Sequence, residues 1–521
     1  MPTRLTVLSL SVATLTAACG ATTSGGGGSD AQAHVRVAHL SPDAPAVDFC
    51  VAEHGSGKFT GPVLAQSGLT IGLSYGNVTG YVALPAAQYD VRLVAPGQTS
   101  CATPLGGLAD FTDLPDIPEG ASITLAAEGL AAIGSTTPLT IAAYVDATTV
   151  AAGMAKLRFI HASPGTPAVD VGTGGGALFQ ALFTDVAYGA TAATDDGYVE
   201  TAPLAGVEVS ARVHGSLSDA LSIIPTVLPS GAIATAFAIG QLGSSAEPLR
   251  VLLCDDNAAP TGGLAQCSLV GGTPSRAHVR IGHLSPDLRA VDVCLAPTGT
   301  TDFSPPVLAG LGVQDGLTYA AVTTYVDLPV GSYDVRVILA NASGCSIPAI
   351  PDTHGVSVDD QETVSVLALG DFDTSGAAAH DPALHLALFT DATSAPLGQA
   401  ALRFIHASPG TPAVDVGLGS GASFTKVFAD VSFGQVATNA PVDALGFVST
   451  SAPVTSAVSA RLAGASTDAL VVPAVTLTDS GVFSAFAIGG KTGASDNPLQ
   501  VLLCQDNAPA NGLLTACTVA N

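Results

Sequence analysis

Apolar and polar residues alternate with a period of two along much of the chain. Val35, Val37 and His39 are interleaved with Arg36 and Ala38, and Val91 and Leu93 with Asp90 and Arg92, the spacing of a strand with one face turned inward. Turn signals such as Ser-Pro-Asp, Pro-Ala-Ala and Ala-Pro-Gly recur every eight to twelve residues or so. The pattern predicts an all-β chain of immunoglobulin-like antiparallel β-sandwiches, about seven short strands in each. The chain has no Trp, so the architecture is predicted without the core Trp of antibody domains.

The same strands come back at fixed intervals. HVRVAHLSPDAPAVDF at 34–49 returns as HVRIGHLSPDLRAVDV at 278–293, and LRFIHASPGTPAVDVG at 157–172 returns unchanged at 402–417. YDVRL, VSAR and FAIG recur in step, and each unit closes on an apolar strand ending in Asp: Asp146, Asp256, Asp391 and Asp506. Units one and three resemble each other more than their neighbours, as do two and four. The organisation is therefore A-B-A′-B′, a two-module unit that duplicated. Module A covers 34–146, module B 156–268, A′ 278–391 and B′ 401–518. Four such modules in file would make a rod on the order of 130 Å.

Cysteine spacing follows the duplication. Cys50 and Cys101 are separated as Cys294 and Cys345 are, and Cys254 and Cys267 as Cys504 and Cys517 are. One disulfide per module is the simplest connectivity for eight cysteines in an exported protein. The short pairs enclose loops rich in Asn, Pro and Gly, which belong at the surface. Such a loop either staples a C-terminal tail or, held in shape, forms a binding element.

The ninth cysteine belongs to the first segment. Residues 1–19 begin with a single Arg, Arg4, continue through an apolar run from Leu5 to Leu15, and end on small residues and Cys19. The run is too short to span a bilayer and suits a signal peptide. Small residues leading to a cysteine resemble the lipobox of bacterial lipoproteins, with Thr16 where that pattern has Leu. Cys19 is then the lipidation site, and 20–33, rich in Gly and Ser, is a flexible tether. Gly20 after the cysteine points to the outer membrane or cell surface.

Composition excludes several partners. Acidic residues outnumber basic ones 42 to 16, giving a formal charge of −26, which disfavours nucleic acid and anionic lipid. With 11% charged and 47% hydrophobic residues, the chain is not an acidic disordered one. No cofactor motif is present.

Four copies of one constellation could carry chemistry: His39, Ser41 and Asp48; His161, Ser163 and Asp170; His283, Ser285 and Asp292; His406, Ser408 and Asp415. These residue types invite a hydrolase triad. Ser followed by Pro, however, is held extended at a turn and not on a strained elbow before a helix. Bracing of the turn's backbone by His and Asp is the expected role. Gly72-Leu-Ser74-Tyr-Gly76 reads Gly316-Leu-Thr318-Tyr-Ala320 in A′, so it is a chance match. Asp371 and Asp373 open a sequence like a calcium loop, but its twelfth position falls on Pro382, which fails the EF-hand requirement. They are at most a weak calcium site, and no other metal site is expected.

The HxSPxxPAVD opening, the YDVRL-type strands and the closing strand ending in Asp resemble the bacterial family called domain of unknown function 4397. The resemblance covers all four modules, about 34–518. It implies tandem β-sandwiches on an exported or lipid-anchored protein and names no activity. Module A′ departs at LRAVD, and Gly165 and Gly410 in B and B′ stand where A and A′ have Asp43 and Asp287. The function expected is a non-enzymatic, lipid-anchored cell-envelope protein that binds an extracellular polymer or protein, adheres, or builds the envelope. The alternative is a secreted hydrolase using one His/Ser/Asp set.

Overall fold

The computed structural model describes residues 32–66, 68–192, 194, 196–372, 382–439, 441–490, 497–509 and 512–520. Residues 1–31, which include Cys19 and nearly all of the stretch read as a tether, lie outside them. The regular structure of the described chain is nearly all strand, with a few single turns of helix, and it forms four β-sandwich modules. Each opens on a strand (Gln32–His39, Ala155–His161, Arg276–His283, Gln399–His406) and includes a late strand (Ser122–Glu128, Ile233–Ile239, Thr363–Leu369, Val482–Ile488). Opening and late strands pair in parallel, His34 opposite Ser122 through His39 opposite Ala127 in module A. The other pairings between strands are antiparallel, so each of these sheets is mixed.

That mixed sheet is buried on both faces. In module A, Val35, Ile123 and Leu125 point into the sandwich. The alternate residues Ala38, Leu40 and Ala126 join Ile160, Ala162, Phe237, Ile239, Leu252 and Cys254 of module B in one apolar cluster. Leu284, Val322, Leu367 and Leu369 of A′ meet Ile405, Ala407, Phe486, Ile488, Leu502 and Cys504 of B′ in the same way. Strands buried on both sides read as continuous apolar runs, which accounts for AFAIG and VLLC. The modules are thus two face-to-face pairs, and the expected rod of separate beads is corrected: apolar surface on the second face of each sheet has to be covered.

The short disulfides lock these pairs. All four expected bridges are present, 50–101, 254–267, 294–345 and 504–517. Cys254 and Cys267 lie opposite each other on neighbouring strands of B, and the loop between them reaches across to A. The Gly80 amide donates to the Gly263 carbonyl at 2.8 Å and the Ala265 amide to Val78 at 2.9 Å, while Leu264 packs on the core of A. In the second pair the Thr324 amide donates to Leu513 at 2.8 Å and the Thr515 amide to Val322 at 2.9 Å. The loop is neither a free tip nor a simple tail staple but a clamp between modules. Replacing Cys254 and Cys267 by Ala is expected to lower stability by roughly 3 kcal/mol and to speed hydrogen exchange at Gly80 and Ala265. Unchanged exchange at both amides would show that the loop clamps without the bridge.

A smaller junction joins B to A′. Arg276, at the start of A′, enters module B and contacts Glu208 at 2.5 Å and Asp219 at 2.6 Å, beside Arg212, which pairs with the same Asp219.

Candidate functional site

The repeated motif sits where each opening strand leaves its sheet. His39, His161 and His283 donate from Nε2 to the carbonyls of Pro45, Pro167 and Arg289 at 3.0 Å, and His406 to Pro412 at 3.2 Å. Each ring thus ties down the carbonyl six residues on. In B and B′ the Ser163 and Ser408 amides also donate to Nδ1 of His161 and His406. Burial lowers the pKa of all four imidazoles.

The serines and aspartates have other partners. Ser41 and Ser285 donate to Asp43 and Asp287 at 3.2 Å, and Ser163 and Ser408 to the carbonyls of Gly240 and Gly489. Asp48 accepts from the Phe49, Leu64 and Ala65 amides, and Asp292 from Val293, Leu308 and Ala309. Asp170 accepts from the Asp185 amide, and Asp415 from Asp430 and Gly464 and from Lys426. Each set is buried; its histidine bonds a backbone carbonyl and its aspartate accepts from backbone amides, with Asp170 also bonded to His214 at 2.8 Å and Asp415 to Lys426, and in none does a bond run from the serine through the imidazole to the carboxylate of the set. The fold does not assemble a triad from them.

Asp373 lies in 373–381, outside the described residues. The backbone of Asp371 bridges to Ala383. Among the described residues no group of three or more His, Cys, Asp and Glu is placed to hold a metal.

Two features absent from the sequence reading stand out. The first lies between A and B. Arg36 contacts Asp256 of B at 2.7 Å, and Arg158 of B contacts Asp146 of A, so the two modules exchange arginines. Thr124 and Tyr81 donate to Asp146 and Thr235 and Tyr198 to Asp256, at 2.7 to 3.0 Å. Burial opposes the charge of Arg36, but Asp256 and Asp146 outweigh it and raise its pKa. The second pair repeats the exchange through Arg280 with Asp506 and Arg403 with Asp391. Seven of the sixteen basic residues are buried in this way or at the B–A′ junction and its B′ counterpart, Arg36, Arg158, Arg212, Arg276, Arg280, Arg403 and Arg461, which leaves the exterior acidic.

The second feature is a slot of about 710 Å³ between the two sheets of B′. Leu402, Phe404, Val416, Phe428, Val472 and Val501 line it among other apolar residues; among the described residues Thr411, Thr476 and Thr518 bring its only polar side chains, and no charged residue lines it. The corresponding space in B is about 40 Å³. Register-matched residues explain part of the difference: Ile223 becomes Val472, Leu204 becomes Val454 and Val270 becomes Ala520. In B the open side is also bridged by Gly272, paired with Ser222.

Comparison with known proteins adds a family and little else. No curated protein matches the chain. Among solved structures, the Bacillus anthracis TIE protein aligns at 8% identity over 65% of this chain and 50% of its own, with a TM-score of 0.12; the alignment spans half of that protein. BcpA, the major pilin subunit of Bacillus cereus, aligns at 10% identity over 64% of this chain and 98% of its own, with a TM-score of 0.13. The family model described as domain of unknown function (DUF4397) matches residues 33–172 and 277–417. Each match takes in a whole A-type module and runs into the opening motif of the B-type module packed against it. On these two matches, which span more than half of its length, the chain belongs to the DUF4397 family.

Proposed function

We propose that this protein is a non-enzymatic, exported, lipid-anchored component of the cell envelope, at the outer membrane or cell surface. It presents two rigid pairs of β-sandwiches for adhesion, for binding an extracellular polymer or protein, or for envelope structure. The observation that carries the non-enzymatic reading is the use of every His and Asp of the repeated set to brace a buried turn. Four disulfides favour an oxidising compartment, and duplicated pairs give avidity to a weak binding surface. Cys19 is the anchor and 20–33 the tether in this reading.

Protease shaving of intact cells, with wild type against Cys19→Ala, tests it. Wild type should be cell-bound and shaved, and the variant should appear in the medium. If the variant stays cell-bound, lipidation at Cys19 is not the anchor. A wild-type protein that is cell-bound but protected faces the periplasm, and the envelope-structure role is then the one to pursue.

A further inference from the structure

We propose that the slot between the sheets of B′ binds the long hydrocarbon chain of an acyl lipid. Its volume, about 710 Å³, falls in the range of small-ligand sites, roughly 300–1,000 Å³. The lining excludes most other ligands. A sugar, nucleotide or peptide needs several convergent donors and acceptors, and the three threonine hydroxyls on apolar walls among the described residues do not supply them. The slot has the shape expected of the gap between two packed sheets, which lie about 10 Å apart from backbone to backbone. Side chains from both walls reduce that gap to a thin layer suited to a flexible chain. Small residues line it from both sheets, Ala460 on one and Ala485 and Ala487 on the other, beside Leu402, Phe404 and Phe428.

The duplication supplies an internal control. Module B has the same fold, the same opening motif and the same strand register, yet its space has shrunk to about 40 Å³. Residues that fill it there, Ile223 and Val270, are trimmed to Val472 and Ala520 in B′. Binding is therefore a property of B′ and not of the repeat, and it does not depend on where the protein resides.

Fluorescence titration of the full chain with cis-parinaric acid is the test, with a single saturable site per chain expected. Ala460→Phe, which fills the slot, should weaken binding at least tenfold, whereas Ala211→Phe at the matched position of B should leave it within twofold. Val472→Ile combined with Ala520→Val, which restores the residues of B, should weaken it severalfold even if Ala460→Phe does not fold. Palmitate and phosphatidylglycerol vesicles as competitors, with mass spectrometry of an organic extract of the purified protein, separate a free fatty acid from a membrane lipid as the source; displacement by either supports the proposal. Absence of saturable parinarate binding to the wild-type chain overturns it. So does an equal loss on Ala211→Phe, or undiminished binding in a folded Ala460→Phe protein.

Discussion

Replacing Arg36 by Met is expected to destabilise the A–B pair by about 3–5 kcal/mol, the cost of leaving one member of a buried ion pair behind. The lost contacts are the 2.7 Å approach to Asp256 and the 2.7 Å bond from Nε to Thr124. Asp256, only 2% exposed at its side chain, would keep Thr235 and Tyr198 as donors but lose its direct ion pair, with Arg158 reaching it only through the Thr235 hydroxyl. The pair as such need not stabilise: removing both charges, Arg36→Met with Asp256→Leu, should recover most of the loss. Urea melts of wild type, the single variants and the double variant measure this cycle. If Arg36→Met alone costs less than 1 kcal/mol, the reciprocal exchange does not hold the modules together. If the double variant is as unstable as the single one, packing around Arg36 matters more than its charge.

A second large effect concerns pH. Glu128 is 2% exposed at the A–B contact, and burial pushes its carboxyl up to about 7. Tyr144 donates to it at 3.3 Å and only partly offsets that shift. Burial, helped by the nearby Glu128 charge, pushes the phenol of Tyr188 in module B, whose hydroxyl has no hydrogen-bond partner, up to about 12, and Arg158 lies over the Tyr144 ring at 5.8 Å. Folded, the carboxyl stays protonated to about pH 7; unfolded, it ionises near its ordinary value of about 4.5. The stability it contributes is therefore complete below pH 4.5 and lost as pH rises to 7. At about 1.4 kcal/mol per pKa unit the loss is about 3 kcal/mol. The A′–B′ pair carries Leu369, Phe389 and Phe433 at the matched positions and lacks this group. Converting Glu128, Tyr144 and Tyr188 to Leu, Phe and Phe should raise the melting temperature at pH 8 and leave it nearly unchanged at pH 4.5. A variant whose stability keeps the wild-type dependence between pH 5 and 8 would place the titration elsewhere.

The A-B-A′-B′ repeat and the disulfide pairing were legible in the sequence, because a duplicated chain is its own alignment. The turn-bracing role of His39 and its three counterparts was legible too, since Ser-Pro holds the chain extended just where a carbonyl needs a donor. Arg36 was not. On an alternating strand, a polar residue marks the face that does not enter the strand's own core, and water is the usual occupant of that face. Comparison of A with A′ could have singled out Glu128, since Glu, Tyr and Tyr in one pair become Leu, Phe and Phe in the other.

By itself the sequence determined local strand periodicity, the A-B-A′-B′ repeat and the bridges that follow its spacing, all properties of short range or of self-similarity. Only the tertiary structure decided that the second face of each mixed sheet meets another module, that the 254–267 loop is a clamp, and that B′ holds a slot which B has filled. The physical reason is the same in each case. An arginine facing an aspartate across a module boundary and an arginine facing solvent have the same pattern along the strand, and a missing methylene becomes a cavity only when the walls around it are in place.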